Sequence, residues 1–207
     1  MTIIRNILAL IGLLTLMGTG FVYLQLNAVA SQPDDIDLVA EKTVLDQFDP
    51  KAKAVYTTFW KKLKEFGNAA DATALKYPLA DGVSPEDAEE AMKLVANEHN
   101  MKLVGELFPS QQVKVETGKE QRFLKIYQFC NPQVAMKMLD YSDAFSAYLP
   151  CRIAMVQDKA GNYNLYALDM DMMIYGGKAL PPELLAEVTK VQTIMTDIMK
   201  RGAAGDF

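Results

Sequence analysis

Three side chains carry most of the chemistry this 207-residue sequence could offer: Cys130, Cys151 and His99, the sole histidine. Cys130 stands immediately before Asn131-Pro132, a pairing that suits a helix N-cap and first turn. A helix starting there aims unpaired N–H groups and a positive dipole end at the thiol, which favours the thiolate and hence nucleophilic or metal-binding chemistry. Cys151 lies 21 positions on, at the start of an apolar run. The pair admits three readings: a thiol-redox or metal site, two separate buried thiols acting as small apolar groups, and a structural disulfide stabilising by about 3 kcal/mol. The sequence leaves all three open.

Other motifs narrow the chemistry. No Cys-x-x-Cys pair is present, and zinc normally takes more soft ligands than two, so no metal site is assigned. One histidine gives no Ser-His-Asp set, and neither a phosphate-binding Gly-rich loop nor a haem-attachment motif occurs, so no catalytic residue and no cofactor is assigned. His99, in Glu98-His99-Asn100, reads as a polar helix cap. Asp169 and Asp171, interleaved with Met170, Met172 and Met173, read as a Met-rich apolar edge flanked by solvated carboxylates. Tyr175-Gly176-Gly177 reads either as the lip of a pocket or as a plain loop.

The elements that must position these residues follow from periodicity and punctuation. From Asp49-Pro50, apolar residues at Val55, Tyr56, Phe59, Trp60, Leu63 and Phe66 mark one helix face over residues 50–68. That aromatic face, Phe59 and Trp60 above all, packs either on its own domain or on a membrane or partner surface. An α+β domain is expected over residues 69–202. It opens with a strand near residues 73–77, and Ser84-Pro85-Glu86-Asp87 then signals a capped helix start. A strand at 101–108, a short helix at 109–118, a strand at 122–129 and a helix from Asn131-Pro132 come next. Residues 151–157 and 162–168 form a hairpin about the Asp158–Gly161 turn, residues 169–180 an irregular connection, and Pro181-Pro182 opens a closing helix with a wide apolar stripe. This order predicts an α+β fold in which helices pack on one side of a small, largely antiparallel sheet.

Ahead of that domain, residues 7–26 run from Ile7 to Leu26 without a charge, enough to span a bilayer core about 30 Å thick as a helix. Residues 1–27 are therefore expected to form a single transmembrane helix entering the lipid bilayer. A signal peptide cut after Ala28-Val29-Ala30 is the alternative. Gly12, Gly18 and Gly20 could admit a neighbouring helix in the membrane or be ordinary small residues of such a segment. Arg5 before the segment and Asp34, Asp35 and Asp37 after it place the C-terminal domain outside the cytoplasm, in the periplasm, behind the irregular tether of residues 28–49. With Arg5 the one charged residue among the first thirty, the remainder carries 20 of the 21 basic and all 26 acidic side chains, a net charge of −6. That balance argues against nucleic acid as a partner, because phosphate contacts supply most of such affinity.

Residues about 70–200 resemble the family catalogued as domain of unknown function 302. The likeness rests on the strand ending in Cys130-Asn131-Pro132, the Leu149-Pro150-Cys151 entry to the hairpin, the Gln157-Asp158-Lys159-Ala160-Gly161 turn and the closing helix after a proline. The resemblance implies a helix-on-sheet fold of the TATA-binding-protein type without implying DNA binding. Many members carry glycine before the Asn-Pro, and an Asp-His pair where this chain has Leu107-Phe108-Pro109. Cysteines at both junctions occur in a subset, so they are dispensable to the fold. The functional expectation is a membrane-anchored, extracytoplasmic accessory or binding protein on the inner membrane, serving as a single-span subunit of an integral membrane complex or holding a small ligand between sheet and helix. The alternative is thiol-redox or metal handling at Cys130 and Cys151.

Overall fold

The computed structural model describes residues 46–207, together with Thr15 and Thr19. The expected membrane span, Gly12, Gly18 and Gly20, and the tether up to residue 45 lie outside the described residues. Among the described residues no helix is long and apolar enough to cross a membrane.

Residues 47–207 form one compact unit. Its elements are α1 (Ala52–Phe66), α2 (Ala69–Thr73), β1 (Ala74–Pro78), α3 (Pro85–Glu98), β2 (Lys102–Leu107), α4 (Pro109–Thr117), β3 (Leu124–Cys130) and α5 (Pro132–Tyr141). A 3-10 turn (Asp143–Tyr148), β4 (Cys151–Gln157), β5 (Tyr163–Leu168), α6 (Asp171–Tyr175) and α7 (Pro182–Ala204) complete it. The five strands make one antiparallel sheet in the order β1-β5-β4-β3-β2. The architecture is the expected α+β one.

Local chemistry explains the element ends. Ser84 caps α3 reciprocally: its hydroxyl accepts from the Asp87 N–H and the Asp87 carboxylate accepts from the Ser84 N–H, both at 3.1 Å. Asn131 caps α5 by accepting from the Val134 N–H at 3.3 Å. In the β4–β5 turn Asp158 accepts from the N–H groups of Ala160 and Asn162, and Gly161 takes the positive φ of 93° that closes it.

Strand alternation turns Tyr127, Phe129, Ile153, Met155 and Leu165 toward α3 and α7, where all five are buried. Both helices bury matching stripes: Ala88, Ala91, Met92 and Val95 on α3, and Val188, Val191, Ile194, Met195, Ile198 and Met199 on α7. Each large side chain so buried contributes about 1.5–3 kcal/mol. The helices approach closely at Gly202, where a Cβ would run into the side chain of Met92. The opposite sheet face presents Ile126, Gln128, Cys130, Arg152, Ala154 and Tyr166, all half-buried or exposed.

One charged group on the helix-covered face is buried, between half-buried carboxylates. Lys125 of β3 points at α3, where Glu89 takes its ammonium at 2.7 and 2.8 Å, while Glu106 of β2 lies 2.9 Å from it. Tyr127 donates to Glu89 at 2.7 Å, Lys93 pairs with both carboxylates, and Lys125 lies over the rings of Phe108 and Tyr127. Burial pushes the Glu89 carboxyl up, but hydrogen bonds from Lys125, Lys93 and Tyr127 outweigh it and hold the group at about 2.

Three local expectations need correction. Residues 169–180 are not wholly irregular, because α6 forms one short helix there. The helix expected over residues 50–68 starts later, at Ala52 after Lys51, and ends at Phe66. Asp49 accepts from the Lys51 N–H at 2.8 Å, a turn ahead of the helix. Nor do the last tether residues hang free: Phe48 bridges to Lys178, and the Asp49 N–H donates to the Gly177 carbonyl.

Candidate functional site: an apolar cleft at the strand ends

The cleft arises where three elements stop short of one another. β3 ends at Cys130 and β4 begins at Cys151, with Phe129 opposite Cys151 in the register, so both cysteines sit at the same end of the sheet. α5 leaves that end directly after Cys130, and the 3-10 turn returns the chain to β4. Between α5, the middle of α7 and the strand ends remains a cavity of about 460 Å³.

Its walls are overwhelmingly apolar. α7 contributes Val188, Val191, Met195 and Met199, and α5 contributes Val134, Ala135 and Met138. Phe145 and Tyr148 come from the 3-10 turn, Ala70 and Thr73 from α2, and Met170 and Met173 from the segment before and within α6. The lining continues past the strand ends onto the opposite sheet face at Ile126, Ala154 and Tyr166. Five methionines face the space, a lining whose unbranched thioethers adapt to irregular shapes. Few polar side chains reach it: Thr73, Asn131, Arg152, Gln192 and Thr196.

Cys130 and Cys151 both line this cleft and both are free thiols. The register explains the lack of a bond between them. Since Cys151 pairs with Phe129, Cys130 falls one residue further along, and the pleat turns its side chain to the other face. The expected lowering of the Cys130 thiol by α5 is overturned: burial raises it. Burial, and then the neighbouring Cys130, push Cys151 up to about 11. Both groups are therefore thiols at neutral pH rather than activated nucleophiles. Alkylation by iodoacetamide at neutral pH is expected to be slower at both than at an ordinary thiol, by on the order of a hundredfold at Cys151, with rates climbing as pH rises toward 11. Fast labelling of either near neutrality, read by peptide mass spectrometry, would restore the nucleophile reading.

The other sequence candidates separate from the cleft. Asn131 lines it, whereas Pro132 is an exposed first-turn residue. Phe59 and Trp60 touch edge to face on α1, outside the cleft lining. His99 ends α3 with its Nε2 at 2.9 Å from Asp197, a link between α3 and α7. Asp169 pairs with Lys62 at 3.3 Å and Asp171 accepts from Gln192 at 2.7 Å, so neither carboxylate is simply solvated. Of the two readings of Tyr175-Gly176-Gly177, pocket lip or plain loop, the loop fits: the segment is outside the cleft lining and holds α1, the Gly176 carbonyl accepting from the Tyr56 hydroxyl at 2.6 Å. Among the described residues no group of three or more His, Cys, Asp and Glu side chains could hold a metal ion.

Comparison with known proteins places the fold. No curated protein matches the chain. A crystal structure of an uncharacterized conserved protein DUF302 from Bacillus stearothermophilus superimposes with a TM-score of 0.51 at 14% identity, covering 62% of this chain and 97% of that one. At that identity the likeness speaks to the fold alone. Residues 76–202 match the family described as domain of unknown function DUF302, a stretch that takes in part of β1, the other four strands, α3, α5 and most of α7, and the chain belongs to that family.

Proposed function

We propose that this protein is a membrane-tethered, extracytoplasmic binding protein whose folded domain takes an apolar small molecule into the cleft between α5, α7 and the strand ends. The cleft is the observation that carries this reading. At about 460 Å³ it falls within the range of about 300–1,000 Å³ in which small molecules are held, and its apolar walls with a few polar groups at the margin have the usual composition of such a site. Its two thiols are held protonated by burial, which favours binding over thiol-redox or metal chemistry.

The proposed address comes from residues 7–26: a single pass through the inner membrane, Arg5 on the cytoplasmic side and the domain in the periplasm. Held there, the cleft would lie within reach of integral membrane proteins, as an accessory subunit of such a complex requires.

The test uses the full chain in lipid vesicles with a photoactivatable long-chain alcohol. Labelling is expected on residues 7–26, which serve as an internal control, and on cleft peptides from α5 and α7. Ala135→Trp fills the cleft, and displacing even two methylenes of a ligand weakens binding by about tenfold. The matched change Met136→Trp, at an exposed position of the same helix, should leave cleft labelling intact. Label confined to residues 7–26, or equal labelling in the two variants, would sink the reading.

A further inference from the structure

α1 is fixed on the domain by its inner side. Ala52 is buried, Val55, Phe59 and Leu63 are half-buried, Tyr56 donates to the Gly176 carbonyl, and Lys62 pairs with Asp169. That docking leaves one flank outward, where helical spacing lines up Lys53, Thr57, Trp60, Lys61 and Lys64, all exposed, with Trp60 57% accessible.

Charge sets this helix apart from the body that carries it. Residues 51–66 hold five lysines against Glu65, a net of +4, whereas residues 67–207 hold 14 basic and 19 acidic side chains, a net of −5. A single exposed apolar residue needs no explanation. A tryptophan ringed by lysines on a rigidly held helix is the composition of a helix lying in a membrane interface, the ring at headgroup level and the ammoniums on anionic lipid. Lysine suits such a diffuse anionic surface, while fixed phosphates of nucleic acid favour the arginine fork.

We propose that the outer flank of α1, formed by Lys53, Trp60, Lys61 and Lys64, lies on the headgroup layer of an anionic bilayer and holds the domain against it. The tethered reading contributes proximity, since α1 starts about 25 residues after the apolar segment 7–26. α2 follows α1 at once and lends Ala70 and Thr73 to the cleft. The docked helix therefore sets one wall of the cleft beside the lipid surface.

Trp60 is the only tryptophan, so its fluorescence reports this flank alone. The full chain is placed in phosphatidylglycerol-containing vesicles and in pure phosphatidylcholine vesicles, both with brominated acyl chains. In the anionic vesicles Trp60 emission should shift to the blue, be quenched by bromine and lose access to acrylamide, and high salt should reverse all three. Each lysine near such a surface is worth about fivefold in partitioning, so K53E/K61E/K64E should abolish the effect while circular dichroism stays unchanged. Three results would overturn the proposal: Trp60 open to acrylamide and unquenched in anionic vesicles; quenching that survives both salt and charge reversal; or protection that arises only with native membrane proteins, which would assign the flank to a protein partner. Cleft photolabelling in the same vesicles is read separately, so failure of the docking flank and failure of the binding cleft are distinguishable. If alkaline carbonate strips the chain from the vesicles, the tether has failed, and the Trp60 readout with added vesicles still decides the flank.

Discussion

Replacing Lys125 with methionine is expected to destabilise the domain by about 3 kcal/mol, because removing one partner from a buried ion pair strands the others. Lys125 is 8% exposed and lies within 2.9 Å of both Glu89 and Glu106. Without it the two carboxylates share the single cation of Lys93. The methionine keeps most of the side-chain volume, so the loss reports charge rather than a cavity. A urea titration should show a lower midpoint at unchanged slope. The pH dependence gives a second readout. Glu89 titrates at about 2 in the fold against an ordinary 4.5, so its contribution is present above about pH 4.5 and is lost as pH falls toward 2. In the variant the Glu89 carboxyl rises toward its ordinary value, and the acid-unfolding midpoint should rise with it. Adding Glu89→Gln to Lys125→Met should cost less than the sum of the two single changes. Strict additivity would show that the pair is not coupled.

Gly202→Leu should cost as much, for a steric reason. α7 crosses α3 with no room for even one carbon at this position, since a Cβ meets Met92, itself fully buried. Overpacking a dense core costs about 1–3 kcal/mol, and a leucine adds more atoms than any rotamer shift of Met92 can absorb, which puts the expected loss at or above about 3 kcal/mol. Gly202→Ala makes the informative contrast. Alanine regains about 1 kcal/mol of helix propensity, which partly offsets the clash, so its net loss should be the smaller. The comparison is read as thermal or urea midpoints. A leucine variant as stable as the parent would mean that α3 and α7 can separate there without penalty.

What could be read in advance follows from how local each signal is. The Ser84 box, the Asn131 cap and the Asp158 turn each use groups within four positions, so the residues that form them are visible together in the sequence. The closing helix was legible because one wide apolar stripe, which includes Val188, Val191, Ile194, Met195, Ile198 and Met199, can bury itself only in a single orientation. Lys125 was not. In the run Phe123–Phe129 both faces carry apolar groups, and a lysine there reads as outward until Glu89, 36 positions earlier, is brought over it. The cleft was harder still, because it is a failure of distant elements to fill space and no local pattern encodes that. The two cysteines and Asn131 marked its rim only because they end one element and start the next. Trp60 reads as part of an aromatic helix face, yet its exposure depends on how Tyr56 and Lys62 orient that helix.

The five methionines of the cleft, Met138, Met170, Met173, Met195 and Met199, bring a chemical liability along with their pliancy. Each thioether can take up one oxygen atom from a peroxide and become a sulfoxide, which is polar and chiral where the original was apolar and symmetric. An apolar wall would then present oxygen acceptors to the cleft. Under the proposed binding role, occupancy of the cleft would depend on the oxidant load of the compartment in which the domain resides, and on whatever reductase restores methionine there.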